Sequence, residues 1–198
     1  MRRVGVYGGS FNPVHDGHVA LARYLVERGG LDEVWLTVSP RNPFKDEAEL
    51  APDEDRLAMV RLAASGVPGL KVCDEEMRLP RPSYTICTLR RLAVLYPGVR
   101  FIPVIGADNL PGLGRWKESE ALLRDFGVWV YPRQGIDAAP WLARYPEARY
   151  LADCPLFGGR ATDIRSALAR GDSRVPFLDP RVFDYIRRKG LYAVAGRN

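Results

Sequence analysis

Gly8-Gly9-Ser10-Phe11-Asn12-Pro13-Val14-His15-Asp16-Gly17-His18 joins an apolar run at residues 4–7 to a helical pattern at residues 19–26, and it holds both histidines of the chain. A strand that feeds a glycine-rich turn and then a helix aims backbone N–H groups and the positive end of the helix dipole at one point, which suits phosphate. Two imidazoles three residues apart both reach that point, and each donates hydrogen bonds to phosphate oxygens. A lone histidine here would read as a surface or packed residue. Two histidines with three glycines in one strand–turn–helix read as an anion site. The stretch is neither of two commoner nucleotide motifs: it has no Lys-Ser or Lys-Thr to make a P-loop and no G-x-G-x-x-G.

Outward from this segment, apolar runs alternate with helical patterns. Strands are predicted at residues 3–7, 33–38, 70–73, 100–105, 127–131 and 149–151. Helices are predicted at 17–28, 53–64, 84–95, 117–124 and 140–145, with two more, 162–169 and 180–189, closing the chain. The third is the best supported, with Ile86, Leu89, Leu92, Ala93 and Tyr96 on one face. The alternation implies an α/β, Rossmann-like, doubly wound and mostly parallel sheet of five to six strands with helices on both faces. A helical C-terminal segment from about residue 158 completes one domain over residues 1–198. Ligands bind such sheets beyond the carboxyl ends of the strands, where strand order reverses. With the common order 3-2-1-4-5, strands one and four meet there. The loop Gly106-Ala107-Asp108-Asn109 would then face the histidine turn across one crevice.

Bulk properties narrow the class. The 198 residues are 46% hydrophobic and 27% charged, ordinary for a soluble domain. No apolar run approaches membrane-spanning length and no signal-peptide pattern is seen, so a cytoplasmic protein without a membrane partner is expected. Cys73, Cys87 and Cys154 are odd in number and far apart, which suits buried free thiols rather than a disulfide framework or zinc site. The net charge of +5 attracts polyanions. Without a basic run or basic-aromatic repeat it points to phosphorylated small molecules, not nucleic acid. Asp74, Glu75 and Glu76 read as a solvated acidic loop, and no metal site is assigned. A homo-oligomer is compatible with the sequence.

His15-x-Gly17-His18 after the first strand resembles the signature of the nucleotidylyltransferase superfamily. The eleven-residue string as a whole resembles that of bacterial nicotinate-nucleotide adenylyltransferases. Pro82-Ser83-Tyr84-Thr85-x-x-Thr88-Leu89, Ile-Gly106-x-Asp108, Trp116 after a glycine-rich loop, Tyr131-Pro132-Arg133 and the closing helix at 185–192 extend the resemblance almost to the end. It implies ATP binding by Gly8, Gly9, Ser10, Phe11, His15, His18, Gly106, Asp108, Thr162, Ile164 and Arg165. It implies nicotinate mononucleotide binding by Asn42, Lys45, Ser83, Tyr84, Thr85, Trp116 and Arg133. From the residues alone, Gly106 lets a ligand approach the backbone, Asp108 is a ribose acceptor or a helix cap, and Ser83 and Thr85 are caps or carboxylate binders. The family's Ile-Ser-Ser-Thr-x-Ile-Arg is replaced here by Gly159-Arg160-Ala161-Thr162-Asp163-Ile164-Arg165, losing both serines.

The implied reaction joins ATP and nicotinate mononucleotide into nicotinate adenine dinucleotide and pyrophosphate, by direct in-line attack. The implied catalytic residues are His15, His18 and Arg165, and adjoining phosphate favours the protonated imidazoles. Mg2+ is expected to arrive on the triphosphate. Nicotinamide mononucleotide as the acceptor, another adenylyl- or cytidylyltransferase, and a nucleotide-binding regulator with little catalysis stay open as alternatives.

Overall fold

The computed structural model describes residues 1–40 and 50–193. The first strand, β1 (Arg2–Gly9), is buried at four successive residues, Val4, Gly5, Val6 and Tyr7. Such a run, apolar on both faces, belongs at the centre of a parallel sheet. β1 leads into α1 (Asp16–Glu27), followed by β2 (Glu33–Val38), α2 (Asp53–Ala64) and β3 (Leu70–Cys73). The second half runs α3 (Thr85–Leu95), β4 (Val99–Gly106), α4 (Ser119–Phe126), β5 (Val128–Tyr131), α5 (Ala139–Arg144) and β6 (Ala148–Tyr150). Two helices close the described chain, α6 (Ala161–Arg170) and α7 (Pro180–Lys189).

The six strands form one sheet, ordered β3-β2-β1-β4-β5-β6, with every pairing parallel. This is the expected order with one strand added at the edge, and β1 and β4 are neighbours at the reversal. Each face has its own core. Leu25, Met59, Val60, Val182 and Ile186 pack on one side, from α1, α2 and α7. Ile86, Leu89, Leu92, Leu110 and Leu122 pack on the other. Burying both faces is what makes the central strands uniformly apolar.

Helix ends differ from expectation by a residue or two, and three differences are physical. The stripe of α3 stops at Leu92; Ala93 is exposed, and Tyr96 (39% exposed) leaves the helix to meet Trp35 edge-on at 4.9 Å. Residues Ala107–Arg115, read as a loop, wind into a 3₁₀ helix that carries Pro111 inside it. The acidic segment is only partly solvated: it forms a short 3₁₀ turn, Glu75–Arg78, in which Glu76 is buried. Of the cysteines, Cys73 and Cys154 are buried and Cys87 is partly exposed; all three are free thiols.

Candidate active site

β1 ends at Gly9, and the chain turns through Ser10–His15 to start α1, with His15 in extended conformation as the N-cap. A fully buried arginine holds this turn. The Arg56 guanidinium donates to the carbonyls of Ser10 (2.6 Å), Ser39 (2.9 Å), Pro40 (3.2 Å) and Ala51 (3.0 Å), and pairs with Asp53. A buried cation is tolerable only when its donors are satisfied, as here. It ties the histidine turn to the chain after β2. A single arginine in a helical pattern gave no sign of this.

Asn12, also buried, fastens the turn from the other side. Its side-chain oxygen accepts from the Ala51 N–H (3.0 Å) and the Tyr192 hydroxyl (2.8 Å), and its carbonyl accepts from Arg165 (2.9 Å). Arg165 therefore braces the back of the turn. Arg165 lines neither lobe of the cleft described below.

The two histidines lie ring on ring, with centroids 3.7 Å apart and planes at 28°. The His15 backbone N–H donates to His18 Nδ1 at 3.1 Å. Nδ1 is thus an acceptor, so the proton of the neutral His18 ring sits on Nε2. Phe11 meets the same ring edge-on at 5.0 Å and is itself only 2% exposed. It supports the imidazole from beneath. His15 Nδ1 is buried without a hydrogen-bond partner among the described residues, and burial, aided by Arg133, pulls its pKa from 6.5 to about 4. The protonated form expected for His15 beside phosphate is therefore not the resting form.

Gly17 owes its identity to a neighbouring loop. A Cβ there would stand 2.1 Å from the Gly158 carbonyl and 3.1 Å from His15 Nδ1. Gly106 is also closely packed. The space above it is filled: a Cβ would meet Asp108 at 2.2 Å and Arg133 at 2.9 Å. Gly8 is the open one, with nothing among the described residues nearer than Ser39 Oγ at 4.0 Å. Gly8 is exposed and Gly106 buried, and both line the second lobe described below.

A cleft of two lobes opens above the histidines. The first, about 1050 Å3, is walled by Pro155–Gly159 on one side and α6 on the other, with Ile136, Leu156 and Phe177 offering exposed apolar surface and Ile164 buried in its wall. The second, about 830 Å3, runs from Gly8, Gly9, Ser10 and Phe11 past Gly106 to Trp116. Ser83, Tyr84 and Thr85 enter it from the start of α3, and Thr162 from the start of α6. His15, His18, Asp108, Arg133 and Arg160 line both lobes. Asp108 and Arg133 pair at 3.3 Å, and the Arg133 guanidinium lies over the Tyr131 ring at 5.1 Å. Beneath them the buried Tyr7 and Tyr131 hydroxyls are 3.4 Å apart, and burial raises the pKa of both, keeping them neutral.

The structure thus brings together every expected site residue except Arg165, which stands behind, and Asn42 and Lys45, which lie outside the described residues. It adds two that sequence reasoning missed. Ser83 Oγ donates to Glu76 at 2.8 Å, both groups buried, and desolvation raises the Glu76 pKa. Lys117 Nζ sits over the Tyr84 ring at 4.7 Å. No group of three or more His, Cys, Asp or Glu side chains able to hold a metal exists among the described residues, and no helix among them is long and apolar enough to cross a membrane.

A parallel α/β sheet with a glycine-histidine turn at its switch point, opening a two-lobed cleft, is the build of a nucleotidyltransferase. The chain belongs to the cytidylyltransferase-like family, whose model matches residues 6–167. Within it, the chain belongs with the nicotinate-nucleotide adenylyltransferases. It is 48% identical to a protein of Bacteroides fragilis (strain YCH46) named probable nicotinate-nucleotide adenylyltransferase, over 93% of this chain and 90% of that one. A Bacteroides thetaiotaomicron protein of the same name is 43% identical over 93% and 91%. In fold it is similar to the Plasmodium falciparum nicotinic acid mononucleotide adenylyltransferase complexed with NaAD, with a TM-score of 0.77 at 18% identity, covering 97% of this chain and 98% of that one.

Proposed function

We propose that the protein transfers the adenylyl group of ATP to nicotinate mononucleotide, with residues 1–198 acting as one nucleotidyltransferase domain. The observation that carries this reading is the stacked histidine pair at the junction of two lobes, each large enough for a nucleotide. The likeness to relatives named for this activity supports it. The apolar first lobe takes the adenosine of ATP. The second takes the mononucleotide, its pyridine ring against Trp116 and its carboxylate at the N–H groups of the turn that opens α3.

The acceptor's 5′-phosphate oxygen attacks the α-phosphorus of ATP in line. As that bond forms, the bond from the α-phosphorus to the bridging oxygen breaks, and the electron pair leaves with pyrophosphate. A phosphate is already ionised at neutral pH, so no side chain need remove a proton. The work of the site is to hold two anions together and to stabilise charge on the departing oxygens. His18 does this through Nε2–H and His15 stands beside it as a neutral donor, while Ser10 and the start of α6 supply further donors. Mg2+ bound to the triphosphate lowers the charge that these groups must meet.

The test is pyrophosphate release from ATP and Mg2+ with nicotinate mononucleotide, nicotinamide mononucleotide or phosphopantetheine as acceptor. Release with the acid and little with the amide is the expected result. Equal rates with acid and amide would overturn the acceptor assignment. No release with any acceptor, despite ATP binding, would overturn the reaction and leave a nucleotide-binding regulator.

A further inference from the structure

Among the described residues, two cations line both lobes, Arg133 and Arg160. They are not equivalent. Arg133 is engaged, with its guanidinium on Asp108 at 3.3 Å and over the Tyr131 ring. Arg160 is exposed and makes no ion pair among the described residues, although Asp163 stands one helical turn along on the wall of the first lobe. Its backbone is fixed: the Arg160 carbonyl accepts from the Ile164 N–H at 3.1 Å as α6 begins. The side chain is therefore an uncommitted cation on a positioned backbone, at the place where the lobes join.

We infer that Arg160 is a further catalytic residue of this site, binding the phosphate chain of the nucleotide and the pyrophosphate that leaves it. This rests on the adenylyl-transfer reading above. An arginine forms two parallel hydrogen bonds to phosphate oxygens, and such charge-assisted bonds are among the stronger polar contacts. In the ligand-free cleft water screens the guanidinium. Once both lobes are filled that water is displaced and the attraction to phosphate strengthens. Arg160 takes and gives no proton; it neutralises the negative charge that collects on pyrophosphate as the bond to the α-phosphorus breaks. Arg133 cannot substitute, because leaving Asp108 would uncover a carboxylate next to the same anions.

The experiment compares wild type, Arg160→Ala and Arg160→Lys by pyrophosphate release over a range of ATP concentrations, with tripolyphosphate binding measured by calorimetry. The side chain is exposed, so all three should fold alike, which matching melting curves check. The expected result is a fall in kcat/KM for ATP of about 10- to 100-fold in Arg160→Ala, weaker tripolyphosphate binding, and partial recovery in Arg160→Lys. Unchanged kcat/KM in Arg160→Ala, with an active wild type, would overturn the inference and leave the reaction intact. If wild type releases no pyrophosphate, the reaction fails instead, and tripolyphosphate binding alone decides: weaker binding by Arg160→Ala supports the anion contact, equal binding refutes it.

Discussion

His15 and His18 form one unit: their rings stack at 3.7 Å, and the His15 amide holds the His18 ring by its Nδ1. That bond leaves Nε2 as the nitrogen that carries the proton of the neutral His18 ring. A histidine fixed in this way is a pre-oriented donor, and the transition state need not reorganise it.

His18→Ala should therefore lower kcat by about 100-fold, near ~3 kcal/mol of transition-state stabilisation, with a smaller change in KM for the acceptor. Steady-state pyrophosphate release measures this. Turnover within threefold of wild type would remove His18 from the chemistry.

Acid should weaken the fold through His15. Its pKa lies near 4 in the folded chain, against 6.5 ordinarily. Between those values the unfolded chain binds a proton that the folded chain refuses, so stability falls as pH drops from about 6.5 to about 4, by up to ~3 kcal/mol. The buried Glu76 acts with the opposite sign: its raised pKa costs stability as pH rises past its unfolded value. Comparing urea unfolding of wild type and His15→Asn at pH 7 and pH 4.5 isolates the histidine. The variant should lose less stability between the two pH values, and parallel losses would contradict the assignment.

Gly17→Ala should damage the site from behind. The added Cβ would meet a backbone carbonyl, Gly158 O, at 2.1 Å, and backbone cannot swing aside as a side chain can. The wall of the first lobe must then shift, at a cost of ~1–3 kcal/mol. Thermal melting should move down by several degrees, and kcat/KM for ATP should fall at least tenfold while far-UV circular dichroism is retained. An unperturbed KM for ATP would show that the loop tolerates the shift.

Glu76 is expected to bear on the acceptor alone. Glu76→Gln keeps an oxygen for the Ser83 hydroxyl and should leave kinetics near wild type. Glu76→Ala strands that hydroxyl, loosens the turn before α3, and should raise KM for nicotinate mononucleotide several-fold with KM for ATP unchanged. If KM for ATP rises equally, the contact is general scaffolding and not part of acceptor reading.

Much of the architecture was legible because it repeats a local signal. Apolar runs became parallel strands, amphipathic stretches became helices, and the polar turns after β1 and β4 came to face one another at the switch point. The 3₁₀ helix at Ala107–Arg115 escaped because Pro111 and three polar residues carry no helical period. Glu76 escaped for a different reason. One carboxylate among three looks solvated until the fold closes over it and supplies a buried hydroxyl partner.

By itself the sequence determined the chemistry of the turn: two histidines and three glycines between a strand and a helix suit phosphate, wherever the rest of the chain goes. It also determined the layered fold, since periodicity is a local property. Only the tertiary structure decided which groups face the ligand. Arg165 braces Asn12 while Arg160 lines both lobes, Gly106 is covered while Gly8 is open, and Arg56 disappears into the core to hold four carbonyls. Those outcomes depend on contacts between residues far apart in the chain, and no local spacing encodes which side of a loop will be packed and which left open to ligand.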